Sequence, residues 1–220
     1  MNLIESLQKA LPTYEATLPF AKKVVKFQPF KVKDAKNISI ILQEDNKKLA
    51  LSAMVDLLKA NTIGINVLDL CLADAEFLFL QIRSKSVDEK LNLIFNNERI
   101  SVFIPDIGYR NNIKSESIYI SPEISIVVET PIIKDLLKLE TLESIDLIKS
   151  SIKKVVTNGE IFYVNKFVTD EVKTLLDNLP MNILPKLEEF LKHQPELYIV
   201  LKTQSGDKEV SGFLSFFTYR

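Results

Sequence analysis

The chain holds one cysteine, one histidine, five glycines and no tryptophan among its 220 residues. A structural zinc site takes about four cysteine or histidine ligands. Cys71 and His193 therefore cannot build one within the chain. A single thiol excludes an internal disulfide, which suits a reducing compartment. A cysteine–histidine nucleophile pair would have to join Cys71 to His193, which are far apart in sequence. The glycines at 64, 108, 159, 206 and 212 fit neither the dinucleotide fingerprint nor the phosphate loop, because both need glycines at fixed short spacings. HExxH, GxSxG and the EF-hand loop are absent too. The reading is a non-enzyme with no catalytic residue, no cofactor, no metal and no small-molecule substrate. A site built from Asp, Glu or Lys alone would escape these motif tests.

Charge of one sign is also missing. The formal net charge is −1, so no overall basic field recruits nucleic acid or anionic lipid. With 46% hydrophobic and 26% charged residues, the balance is that of an ordinary globular protein. The 24 Ile and 24 Lys against 4 Arg bear on ancestry and not on activity. The start, MNLIESLQKALP, lacks the pattern of a secretory signal. No apolar run approaches the ~20 residues of a membrane helix. A soluble intracellular product without a membrane span is expected.

What is present changes period along the chain. Leu3, Ile4, Leu7 and Leu11 share a helical stripe that Pro12 ends. TYEATLP and KKVVKFQPF predict a β-hairpin with Pro19 to Lys22 at its connection. Residues 31–61 predict two helices separated by Gln43 to Lys48, with Asp45 or Asn46 capping the second. A third helix is expected over 72–86, apolar nearly all round and hence central, with Asp74 as its cap. Arg83 and Lys85 fall in its last turn, where cations complement the helix dipole. KLNLIF, RISVFIP, SIYIS and EISIVVE predict a small antiparallel unit over roughly 88–130. IIKDLLKL and TLESIDLIKSSI follow as helical segments. The last third has an Asn-Gly pair in VVTNGEIFYV, read either as a turn between Val156 and Ile161 or as a continuing strand, helices in DEVKTLLDNL and LPKLEEFLKHQ, and a strand pair joined by QSGD. Thr169 or Asp170 can cap the first of those helices. The expected class is α+β: a helical N-terminal half with an N-terminal β-hairpin, an antiparallel β-rich middle and an α+β C-terminal segment. The expected divisions are 1–87, 88–130 and 131–220, with seams near 88 and 131, the alternative being one compact unit.

Candidate chemistry is thin. Cys71 sits in VLDLCLAD, an apolar and acidic setting unlike that of a reactive thiol. His193 follows Lys192 at a helix end, where a surface role is the default. The pairs Glu44/Asp45, Asp88/Glu89 and Glu188/Glu189 point in different directions if helical, so none is a catalytic dyad. Six lysines from Lys22 to Lys36 interleave with Phe27 and Phe30, the pattern of a base-stacking surface. The same alternation describes a half-buried strand with lysines on its solvent side.

PTYEATLPFAKKVVKFQPFKVKDAK, followed after two helices by DLCLADAEFLFLQIRSKSV, resembles the N-terminal pattern of the T4-like bacteriophage baseplate protein family. The resemblance rests on Tyr14, Glu15, Leu18 and Pro19, on Pro29 and Phe30, and on Asp74 to Val87. LPKLEEFL, a strand pair and a closing Gly-Phe-Leu-Ser-Phe-Phe agree with it. It spans most of the chain, with 98–155 the least diagnostic part. It implies a component of a contractile tail, a baseplate hub assembly protein needed while the central hub is built, and it implies no catalytic residues. Family members often carry Cys-x-x-Cys pairs in the central segment and in the C-terminal hairpin. Here the matching stretches, NLIFNNERISV and LKTQSGDKEV, contain no cysteine. Packing by Leu93, Phe95, Val102, Tyr198 and Val200 is then expected to hold those hairpins.

The expected function is structural or assembly work in a phage tail baseplate, through contacts with other baseplate or hub proteins. Its place would be the host cytoplasm during assembly, and the virion tail if retained. Expected contact residues are Phe27 and Phe30 on the hairpin, and Phe213, Phe216 and Phe217 near the end of the chain. The alternatives are a hub-assembly chaperone absent from the mature virion and, more remotely, a nucleic-acid-binding module.

Overall fold

The computed structural model describes residues 10–43, 46–95, 98–164 and 174–212. The helix expected at 1–11 lies almost wholly outside that set, as do Asp45, the caps Thr169 and Asp170, and Phe213, Phe216 and Phe217. The chain forms two compact units, residues 1–110 with 196–220 and residues 111–195.

The first unit opens with β1 (Tyr14–Thr17) and β2 (Val24–Phe27), paired antiparallel from Tyr14↔Phe27 to Thr17↔Val24. Alternation turns Val25 and Phe27 inward and leaves Val24 and Lys26 exposed. The connection closes with the Leu18 N–H donating to the Lys23 carbonyl at 2.9 Å, while Lys22 takes a φ of 56°. Helices α1 (Ala35–Gln43) and α2 (Lys47–Asn61) follow as expected. Asn46 caps α2, its side chain accepting from the Lys48 and Leu49 N–H groups. The chain leaves α2 as β3 (Thr62–Ile63), which pairs with β2 and completes a three-stranded sheet in the order β1-β2-β3.

Helix α3 (Leu72–Ser86) has the expected bounds. Leu78, Phe79, Leu80 and Ile82 are each 1% exposed or less. Burial of side chains of this size contributes roughly 2 kcal/mol apiece. Asp74 does not cap the helix. The N-cap position is Cys71, which makes no side-chain cap bond, and Asp74 lies inside the first turn. Its carboxylate is engaged elsewhere, as described below.

The β-rich middle is not one unit. β4 (Lys90–Phe95), β5 (Glu98–Phe103) and β6 (Gly108–Arg110) belong to the first unit, whereas β7 (Ser115–Tyr119) and β8 (Ile124–Glu129) belong to the second. The chain passes between units at 110/111 and 195/196, and the expected seams at 88 and 131 fall inside them. The reason is pairing: among the described residues β4 pairs with β5 alone, while β7 and β8 join β9 (Ile152–Thr157) and β10 (Glu160–Tyr163).

That second unit is an antiparallel sheet in the order β10-β9-β8-β7. Asn158 and Gly159, at φ 48° and 81°, make the two-residue turn between β9 and β10, the hand that suits strand twist. The helical turn α4 (Ile133–Leu136), helix α5 (Ser144–Ser151) and helix α6 (Leu184–Lys192) accompany the sheet. Pro185 sits in the first turn of α6, where no N–H is needed. Ile118, Ile126, Val128, Ile148, Leu187 and Phe190 form the centre of its core.

The chain then returns to the first unit as β11 (Glu196–Thr203) and β12 (Gly206–Ser211). β11 pairs antiparallel with β12 and with β6, giving the order β12-β11-β6. Gly108 faces Tyr198 in this ladder, and a Cβ there would lie 2.6 Å from the tyrosine ring. Only glycine lets the ring lie down on β6 at that point.

Candidate functional site

The residues that carry the family pattern meet one another in the fold. The hairpin turn and the start of α3 are joined by Asp74, whose two carboxylate oxygens accept from the Phe20 and Ala21 N–H groups at 2.8 Å each. Asp74 is 1% exposed, and bonds from N–H groups to a buried carboxylate are among the stronger ones in proteins. At the other end of α3, the Phe30 N–H donates to the Ser86 hydroxyl at 2.7 Å, and that hydroxyl donates to the Ile82 carbonyl. Between these ties, the Phe30 ring packs on Phe79 with centroids 5.3 Å apart. Arg83 reaches past the helix end and donates to the Asp88 and Lys90 carbonyls. Burial pushes the Arg83 guanidinium down, and the Asp88 charge offsets part of that. Arg83 thus grips the outgoing strand as well as lying in the last turn.

This arrangement decides the standing of two expected contact residues. Phe27 is 1% exposed and packs beside Tyr14 at 5.9 Å, so its ring belongs to the interior of the hairpin. Phe30 is half-buried against Phe79. The two rings that a base-stacking surface would use are therefore engaged within the protein. The exposed apolar residues nearby are Val24 and Val32, at 62% and 94%, together with Ile63 at 48%.

The two hairpins β4–β5 and β11–β12 also meet. β5 packs against β11, and the Gln204 N–H at one hairpin tip donates to the Glu98 carboxylate of the other at 3.3 Å. Leu93 and Val102 are buried there as expected. On β11 the buried face is Leu197, Ile199 and Leu201, and Val200 on the opposite face is 47% exposed. Tyr198 instead covers Gly108 and lies 5.2 Å from the Arg110 guanidinium. Arg110 bonds Glu196 and Glu209 at 2.6 Å each, tying β6 to β11 and β12, and both carboxylates raise its pKa. Sequence reading missed this network. Its one available signal was an arginine in a chain with only four.

Cys71 and His193 are each engaged within their own surroundings. Cys71 is buried, and desolvation followed by the nearby Asp74 charge pushes its thiol up to about 12. His193 caps the end of α6 with its Nδ1 2.9 Å from the Glu189 carbonyl. Cys71 belongs to the first unit and His193 to the second. Of the acidic pairs, Glu89 is bound to Lys85 at 2.9 Å and Asp88 accepts from the Lys90 N–H. Glu188 and Glu189 are exposed on α6. Among the described residues no group of three or more metal-ligating side chains converges. No described helix is long and apolar enough to cross a membrane.

No curated protein and no solved structure gives a match to the chain. The family model described as "T4 bacteriophage base plate protein" matches residues 11–218, a span that takes in the hairpin, α3 and both units. The chain therefore belongs to the T4 bacteriophage base plate protein family.

Proposed function

We propose that the chain is a structural or assembly component of the central hub region of a contractile-tail baseplate, working through protein–protein contacts and not as an enzyme. The observation that carries this reading is the family match across residues 11–218. Two features of the molecule support it. The buried polar groups Asp34, Asn61 and Asp74 bond backbone or one another, the work of holding a shape. The lone thiol is buried with its pKa raised, and the lone histidine is bonded to its own helix.

The test uses the phage that carries this chain. Deleting its gene is expected to leave heads and tail fibres intact while baseplates fail to form, and the chain is expected to co-purify with hub proteins. Normal baseplates in the deletion would overturn the reading. Mass spectrometry of purified virions then separates two roles: presence marks a permanent hub subunit, and presence only in assembly intermediates marks a departing chaperone.

A further inference from the structure

β7 lies at an edge of its sheet. β7 ends the four-stranded sheet, and among the described residues no strand pairs with its far side. The ladder to β8 determines which backbone groups face outward. The Ile120 N–H donates to the Ile124 carbonyl and the Thr130 N–H to the Lys114 carbonyl, each at 2.9 Å. With Glu116 opposite Val128 and Ile118 opposite Ile126, residues 114, 116, 118 and 120 turn their peptide groups toward β8. The N–H and C=O groups of Ser115, Ser117 and Tyr119 therefore face the open side. Next to β7 lies a cleft of about 530 Å³. Ile113 and Ile118 form its apolar part, Glu116 lines it from β7, and Lys186, Glu189 and His193 line it from α6. Those three fall at i, i+3 and i+7, one stripe of the helix.

We propose that this cleft takes an extended, basic segment of a partner protein, added as a further strand to the outer edge of β7. Peptide groups facing outward along a sheet edge are matched by another strand, whose alternate side chains enter the cleft. The isoleucines match apolar side chains. The charges select the rest: among the described residues Glu116 and Glu189 make no ion pair, against the single cation Lys186. Residues 111–195 as a whole carry ten lysines, no arginine and thirteen carboxylates. A second copy of this chain would bring another Glu116 to the same edge, and like charges across a pair of strands repel. The inference rests on the protein-contact reading above and is independent of a position in the hub.

The experiment titrates the ¹⁵N-labelled full chain with the peptide acetyl-Thr-Lys-Thr-Val-Thr-Lys-Thr-amide, whose two lysines and valine share one face of the strand. Amide shifts are expected in 113–119 and 184–193. Glutamate in place of both peptide lysines is expected to weaken binding about tenfold or more. The variant Ser117→Pro removes one outward donor and no bond to β8, since proline is tolerated on an edge strand, and it is expected to weaken binding at least about tenfold. Should that variant misfold, a peptide N-methylated at alternate residues tests the same bonds on the unaltered chain. Binding insensitive to N-methylation, shifts elsewhere, or no shift at millimolar peptide would overturn strand addition. Stronger binding of the acidic peptide would overturn the basic partner, and a concentration-dependent dimer lost in Ser117→Pro would replace the partner with a second copy. A chain found in baseplates whose β7 edge is inert sinks this inference alone. A competent edge on a chain dispensable for baseplates sinks the hub reading alone.

Discussion

The first unit is tied across long stretches of sequence by polar side chains, whereas the second is a meander whose neighbours in space are mostly neighbours in the chain. Asp74 holds N–H groups 53 and 54 residues away, Ser86 holds one 56 residues away, and Arg110 grips Glu196 across 86. In the second unit consecutive strands pair in order, and its ion pairs Lys153–Asp135 and Lys149–Asp146 span 18 and 3 residues. Its longest tie, from Asn111 to the Gln194 carbonyl, closes the two ends of the unit. The contrast teaches where each unit is vulnerable. A meander with a continuous apolar core is weakened most by a cavity, and a unit assembled from distant pieces by loss of a polar tie.

The sharpest test is Phe190→Ala. Phe190 is 1% exposed in the core of the second unit, and truncation is expected to destabilise that unit by about 4 kcal/mol in urea unfolding. Tyrosine fluorescence and exchange of β8 amides would follow the loss. An equal loss of protection in α3 would break the distinction between the units. Asp74→Ala comes next, at about 3 kcal/mol, because the Phe20 and Ala21 N–H groups lose their acceptor. Hydrogen exchange should rise first at 18–23, and a protected hairpin turn would count against the tie.

An intermediate effect is expected at alkaline pH. The folded pKa of Cys71 lies above its ordinary value of 9.0, at about 12, so the folded state keeps the proton longer. The stabilisation is complete below pH 9 and is lost as pH rises from 9 toward 12, by about 1 kcal/mol at pH 10. Cys71→Ser unfolding curves compared at pH 8 and 10 would remove that pH dependence if the assignment holds. The smallest effect is expected for Lys26→Ala. Its partner Glu15 is 3.4 Å away and both side chains are more than half exposed, so stability should change by no more than about 0.5 kcal/mol.

Local signals carried much of the fold. The bounds of α3, the Asn46 cap, the first hairpin and the Asn158-Gly159 turn all depend on residues a few positions apart. Three features were not legible. β6 is only Gly-Tyr-Arg, too short for any periodicity, and becomes a strand because β11 pairs with it. The middle strands look alike in composition, yet β4–β5 and β7–β8 go to different units because their edges find different partners. Asp74 stands where helix caps stand, and its real acceptor role needs the hairpin turn to be brought beside α3. The β7 cleft was illegible for the same reason: Glu116 and Glu189 lie on elements far apart in the chain. Phe27, expected as a partner-contact residue, is interior because β2 turns every second residue inward and Phe27 shares that face with Val25.

By itself the sequence determined the period of each element, the lack of a Cys/His zinc set and the family pattern, since these depend on residue identity and short spacing. The tertiary structure decided which strands share a sheet and which polar side chains are buried ties. Those outcomes follow from pairing between residues separated by tens of positions, where many partners satisfy the same local chemistry and only packing selects among them.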